Sequence, residues 1–169
     1  MKAKYPILTP LLLMAAVVGL DQFTKWLVVL NFRLYETKVI IPGLFSLTYI
    51  TNTGAAFGLL AGEQTLARQA FFVAVAMIAL IVMFFSYRHL RTQGALFIYA
   101  IGLIAGGALG NLIDRVRFGS VVDFLDFYIN RHHWPAFNVA DSSITIGVGL
   151  FILGSLLPSA EKRDELNNG

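Results

Sequence analysis

A short pattern, Asn-x-x-Asp, occurs twice in this chain: Asn111 with Asp114 in "NLID", and Asn138 with Asp141 in "NVAD". On a helix that spacing sets amide and carboxylate on one face, where the amide donates to the acid or holds it in one rotamer. Between the two copies lies Asp123, flanked by Val121, Val122, Phe124 and Leu125. Another acid, Asp21, precedes Lys25 by four residues, the spacing of a helical ion pair. Two carboxylates brought close in a partly dry site cannot both ionise, so one keeps a proton. Such a pair can hold a water, deprotonate it as it attacks a carbonyl, and protonate the leaving amine, with neither metal nor thiol. Asp123 and Asp141 make the best pair on this reading, because Asp123 has apolar neighbours and Asp141 lies inside an apolar stretch. Asp114 has Arg115 beside it, and Asp126 is expected nearer the water. Spacing alone leaves the other pairings open.

Other chemistries fit less well. The chain has no cysteine, which excludes thiol nucleophiles, disulfides, Cys-ligated metals and acylation of its own cysteine. His132 and His133 are adjacent rather than one turn apart, so they read as interfacial histidines and not as a metal face. Ser142 and Ser143 follow Asp141 but have no histidine at a partnering distance along the chain. The stretch "GVGLFILG" lacks the phosphate-loop pattern. No metal and no cofactor are expected. The net charge of +3 is small and its Lys and Arg residues sit at segment ends, so nucleic acid is not an expected partner.

The elements that must position these acids are membrane spans. Of 169 residues, 57% are hydrophobic and 14% charged, and long uncharged runs recur. Four segments reach the ~20 residues needed to cross a bilayer: about 7–30, 69–87, 94–113 and 135–157. The first is expected to be retained rather than cleaved as a signal peptide. It runs past the length of an h-region and carries Asp21 and Lys25. Together the spans form a single domain over 1–158, followed by a polar tail at 159–169. Lys2, Lys4, Arg88, Arg91, Lys162 and Arg163 crowd one side of the membrane. Arg33, Lys38, Arg68, Arg115, Arg117 and Arg131 are spread over more than twice the length on the other. Positive density therefore puts the termini and the tail in the cytoplasm. Every intramembrane acid then falls in the outer half.

The outer loops, 31–68 and 114–134, are more than linkers. The first contains "KVIIPGLFSLTYITNTGAAFG", rich in β-branched and aromatic residues, and reads as short strands packed on the membrane surface. The second contains "VVDFLDFYINRHHW" and reads as an interfacial helix. Trp26 and Trp134 are expected at the interfaces. In the third span Gly102, Gly106 and Gly110 share one face, a stripe suited to close helix packing. The fold class is thus an all-α polytopic membrane protein with four transmembrane helices, a small extracytoplasmic β-rich cradle and an interfacial helix.

Five stretches in order, "DQFTK", "TNTGAAFG", "GGALGNLIDR", "VVDF" and "FNVADSSITIG", resemble the motif series of the bacterial lipoprotein signal peptidases (signal peptidase II). The resemblance covers about residues 20 to 150. It implies an intramembrane aspartic endopeptidase that removes the signal peptide from lipid-modified prolipoproteins, cutting just before a diacylglyceryl-bearing cysteine. By that resemblance Asp123 and Asp141 are the catalytic dyad. Asn52, Gly54, Asn111, Asp114, Arg115 and Asn138 line or brace the site, and Asp21 with Lys25 is a structural pair. It also implies a monomer in the bacterial cytoplasmic (inner) membrane, in contact with membrane lipid, its active site near the outer leaflet surface, inhibited by globomycin-like cyclic peptides. Two readings of another class stand against it: a small ion-coupled transporter using intramembrane acids, and an assembly protein whose acids only bind partners. A transporter needs polar residues along a whole crossing, and here the inner halves of the spans are apolar.

Overall fold

The structure, a computed structural model, describes residues 5–54, 62–63 and 65–157. The polar tail expected at 159–169 lies outside the described residues, as do Lys2 and Lys4. Four helices are long and apolar enough to cross a membrane: α1 (Leu8–Asn31), α2 (Leu66–Leu90), α3 (Ala95–Phe118) and α4 (Val139–Leu156). Between them run four short strands, β1 (Thr37–Ile41), β2 (Phe45–Asn52), β3 (Val121–Ile129) and β4 (His132–His133). They form one antiparallel sheet in the order β1-β2-β3-β4. Consecutive spans run in opposite directions. The end of α1, the start of α2, the end of α3 and the start of α4 therefore share one end of the bundle, and the sheet is joined to all four there.

Local chemistry sets the helix ends. The Thr65 hydroxyl accepts the Arg68 N–H at the start of α2, and Gly119 ends α3 in the left-handed region at φ 73°. α3 is the hub of the bundle, 67% buried over its span against 11–22% for the other three. Its glycine stripe packs on α1. A Cβ at Gly106 would lie 2.7 Å from the Val17 Cβ, and one at Gly110 2.6 Å from Asp21 Oδ2. Gly107, on another face, meets the backbone oxygen of Ala140 in α4. Small residues thus let α1 and α4 approach the same helix, and both carry acids.

Three expectations need correction. The segment expected to form an interfacial helix is strand β3 with the short strand β4. Its β-branched and aromatic residues favour an extended chain, β2 offers it a pairing edge with Thr51 opposite Val122, and Asn130 turns the hairpin at φ 56°. The third span was expected to stop before Asp114, but α3 continues to Phe118, so Asp114 and Arg115 are helical rather than part of a loop. The fourth was expected from Pro135. Instead residues 135–137 precede the helix, with Phe137 bridged to Leu125, and α4 begins at Val139. Asp141 is therefore in its first turn.

Candidate active site

Two buried polar assemblies meet where α1, α3, α4 and β3 converge. The first is a brace. The Lys25 ammonium lies 2.9 Å from Asp21 Oδ2 and 2.8 Å from Asp114 Oδ2, and it donates to Asn111 Oδ1 at 3.0 Å. All of these side chains are nearly sealed from solvent. Both acids also reach other elements: Asp21 Oδ1 accepts the Ala140 N–H of α4 at 2.9 Å, and Asp114 Oδ2, the oxygen that meets Lys25, also accepts the Val122 N–H of β3 at 3.1 Å. Gln22 Nε2 donates to Asp114 at 2.8 Å and to the Gly110 carbonyl at 3.2 Å. The pair expected from Asp21 and Lys25 is thus one side of a triad that joins two helices and orients two further elements. Asp114 belongs to this brace and does not line the site. Gln22 was missed as a brace residue, although it stands in "DQFTK" beside Asp21.

The second assembly holds Asp123 and Asp141, and here the structure departs from the local reading of Asn-x-x-Asp. Neither asparagine side chain donates to the acid three residues later. Asn111 Nδ2 donates to Asp141 Oδ1 at 2.8 Å, and Asn138 Nδ2 donates to Asp123 Oδ1 at 2.7 Å. The pairing is crossed because Asn138 is the N-cap of α4. Its side-chain oxygen accepts the Asp141 N–H at 2.9 Å while Asp141 Oδ2 accepts the Asn138 N–H at 3.2 Å, a capping box. With its oxygen engaged there, Asn138 has only its NH2 to offer across the site. Asn-x-x-Asp ahead of an apolar run is itself a capping-box signal, and it could have been read as one.

The same logic fixes the other amides. Asn52 Oδ1 accepts the Gly54 N–H at 2.8 Å, so its NH2 meets Asp123 Oδ2 at 3.1 Å. Asn52 lies opposite Val121 in the β2–β3 pairing, which puts it on the face shared by Asp123 two residues on. Asn111 Oδ1 accepts from Lys25. In each of the three, a group that can only donate holds the amide oxygen, and the NH2 is turned to a carboxylate. Arg115 Nη2 donates to the Gly54 carbonyl at 2.9 Å, and its guanidinium sits 5.1 Å from the Phe72 ring centre. Gln69 Nε2 donates to the Arg115 carbonyl at 2.8 Å.

Asp123, Asp141, Asn52, Asn111 and Arg115 line one cavity of about 440 Å³. Much of the remaining lining is apolar and includes Trp134, Phe137 and Ile146. Asn138 lies behind this lining, fully buried, and joins the two acids through its bond to Asp123 and a 3.3 Å contact with Asn111. The Asp123 carboxyl is pushed up from 3.8 to about 7, first by burial and then by the charge of Asp141. The amides of Asn52 and Asn138 and the charge of Lys25 pull the other way. Near neutral pH Asp123 therefore carries a proton for part of the time. Asp126, expected nearer water, is buried and bonded to His133 Nδ1 at 2.9 Å, away from this cavity. Among the described residues no cluster of three or more His, Cys, Asp or Glu side chains could hold a metal ion. An acid beside a partly protonated acid, facing an apolar cleft, is an arrangement for general acid–base hydrolysis.

The family model for signal peptidase II matches residues 13–157. A lipoprotein signal peptidase of Syntrophus aciditrophicus is 45% identical over 94% of this chain and 99% of its own length. One from Geobacter metallireducens is 44% identical over 99% of this chain and its own full length. A solved structure described as a bacterial membrane enzyme superposes with a TM-score of 0.80 at 39% identity, covering 92% of both chains. The motifs, the four spans with their sheet and these matches agree: the chain belongs to the signal peptidase II family.

Proposed function

We propose that Asp123 and Asp141 are the catalytic dyad with which this peptidase cleaves a prolipoprotein just before its diacylglyceryl-modified cysteine. Removal of lipoprotein signal peptides is the activity of the family to which the chain belongs. The observation that supports the dyad most is the crossed amide network. Two carboxylates line one cavity, are linked through Asn138 and Asn111, and receive only N–H donors from them. In the proposed reaction a water lies between the acids with one proton held on the pair. The ionised carboxylate takes a proton from the water as its oxygen attacks the scissile carbonyl, and the protonated partner gives its proton to the carbonyl oxygen. Collapse of the resulting diol breaks the C–N bond: the carboxyl that gained the water's proton delivers it to the departing amine, and the other carboxylate takes back a proton from a diol hydroxyl, so that one proton is again held on the pair. The products are a signal peptide ending in a carboxylate and a lipoprotein beginning with the amine of its cysteine.

The apolar wall of Trp134, Phe137 and Ile146 suits the substrate's lipidated end. Asn52, Gly54, Asn111, Asn138 and Arg115 orient the acids, and Asp21, Lys25 and Asp114 hold the helices that carry them. The chain is a multi-pass membrane protein. We place it in the bacterial cytoplasmic membrane as a monomeric unit over 1–158, with termini and tail cytoplasmic and the cavity near the outer leaflet surface. A globomycin-like cyclic peptide would occupy the same cavity. A transporter reading has no support, because the buried acids gather at one end of the bundle.

The test is cleavage by the purified protein of one prolipoprotein prepared with and without its diacylglyceryl group, with the product's N-terminus read by mass spectrometry. We expect a single cut before the lipidated cysteine and little cutting of the unlipidated form. Equal cutting of both forms, or a cut elsewhere, refutes the substrate assignment. Because the chain has no cysteine, Ile129→Cys and Thr92→Cys report topology directly. A membrane-impermeant maleimide should label the 129 site but not the 92 site in spheroplasts. The reverse pattern overturns the orientation.

A further inference from the structure

We propose that Lys25 is a positioning residue of the dyad: its ammonium group fixes the Asn111 amide so that the Asn111 NH2 faces Asp141. The inference rests on the dyad assignment above and goes beyond a structural role for Lys25. An ammonium has three N–H groups and no acceptor. Here the three acceptors within reach are Asp21 Oδ2, Asp114 Oδ2 and Asn111 Oδ1, at 2.9, 2.8 and 3.0 Å. The atom of Asn111 that touches Lys25 must therefore be its oxygen. The planar amide then presents its nitrogen on the opposite edge, where Asp141 Oδ1 accepts at 2.8 Å. Without the ammonium only the longer 3.3 Å donation from Asn138 would hold that oxygen. The amide could then turn over and present a lone pair to a carboxylate. Asp21 and Asp114 anchor Lys25 from α1 and α3, and their own bonds to Ala140 N and Val122 N tie the ammonium's position to α4 and β3.

Lys25 also acts on the dyad through its charge. The ionisable groups around it are Asp21 on α1, Asp114 and Arg115 on α3, Asp123 on β3 and Asp141 on α4. Among these, Lys25 is one of the groups that favour ionised Asp123. A neutral residue at 25 makes ionisation of Asp123 costlier, and the uncompensated Asp21 and Asp114 add to that cost. The alkaline limb of the pH–rate profile, set by loss of the shared proton, then moves upward.

The experiment compares wild type with Lys25→Met in detergent, after size-exclusion and thermal-shift checks of folding, on a lipidated prolipoprotein. The expected results are a kcat lower by about 10- to 100-fold with KM within about threefold, and an alkaline limb raised by roughly half to one pH unit. A purely structural lysine would lower the thermal midpoint but leave the kcat of the folded fraction and the pH limb unchanged. That outcome overturns the inference. Should Lys25→Met not fold, the charge-balanced Asp21→Asn with Lys25→Met is scored by the same readouts. It should move the limb in the same direction by less, and a wild-type profile from it equally overturns the inference. Activity surviving in Asp123→Asn or Asp141→Asn overturns the dyad and this inference with it. Inactive dyad variants beside a wild-type-like Lys25 variant overturn only the inference.

Discussion

Asn138 carries two separable jobs, and replacing it by alanine or by serine pulls them apart. Its oxygen caps α4 through the Asp141 N–H at 2.9 Å. Its NH2 donates to Asp123 at 2.7 Å and to the Val122 carbonyl at 3.2 Å. Loss of an N-cap costs about 1 kcal/mol. Loss of a hydrogen bond to a charged group costs about 1.5–3 kcal/mol, and stranding a buried carbonyl about 1 more. Asn138→Ala should therefore destabilise by roughly 3–5 kcal/mol. Serine is as good an N-cap as asparagine but has no NH2 to reach Asp123. Asn138→Ser should recover about 1 kcal/mol, or ~2–4 °C in thermal midpoint for a chain of this size. Activity should not recover. With the donor gone, Asp123 moves further above about 7, by about one unit for each ~1.4 kcal/mol of lost bond. Both variants should lose about 10- to 100-fold in kcat, and their alkaline limbs should shift upward. The assay is prolipoprotein cleavage against pH, paired with thermal unfolding of the same samples. A folded Asn138→Ser enzyme with wild-type kcat would refute the claim that the amide NH2 positions Asp123. Equal midpoints for the two variants would refute the cap.

Burial of Asp123 should be visible in stability as well as in rate. Its folded value of about 7 lies above the ordinary 3.8, so its contribution is fully present below about pH 4 and is lost as pH rises toward 7. Asp123→Asn should thus match wild type near pH 4 and exceed it at pH 8 by up to about 4 kcal/mol, read as a higher thermal midpoint. A pH-independent difference contradicts this. Gly107→Ala should cost about 1–3 kcal/mol and reduce cleavage, because the added Cβ meets the Ala140 backbone one residue before Asp141. Gly19→Ala, with nothing within 4 Å, is the silent control, and similar behaviour of the two would refute the packing argument. A chelator should leave cleavage unchanged, and loss of activity with EDTA would require a metal.

The spans and the gathering of the acids at one end of them were legible because apolar length and charge placement are local properties of the chain. Resemblance to the motif series singled out the proposed dyad, which spacing alone had left open among several pairs. Three things were not legible. The stretch around Asp123 mixes apolar, aromatic and charged residues, which suits an amphipathic helix in isolation. It is a strand because β2 pairs with it, a long-range fact. The asparagines were assigned to the acids three residues ahead, yet the Asn111 NH2 serves Asp141 and the Asn138 NH2 serves Asp123. Helical spacing describes neighbours on one element, whereas these amides face across a junction of α3, β3 and α4. Lys25 likewise looked complete with Asp21 alone. Its two further bonds, to Asp114 and Asn111, depend on the close approach of α1 that the α3 glycines permit.

The central claim is that Asp123 and Asp141 act together on one water. Cleavage of a lipidated prolipoprotein by purified, folded Asp123→Asn and Asp141→Asn tests it most directly. Each substitution alone should lower kcat by about a thousandfold or more, within the range for loss of a general acid or base, while the protein still elutes and melts as a folded species. If either variant retains cleavage within tenfold of wild type, the two aspartates are not a catalytic pair.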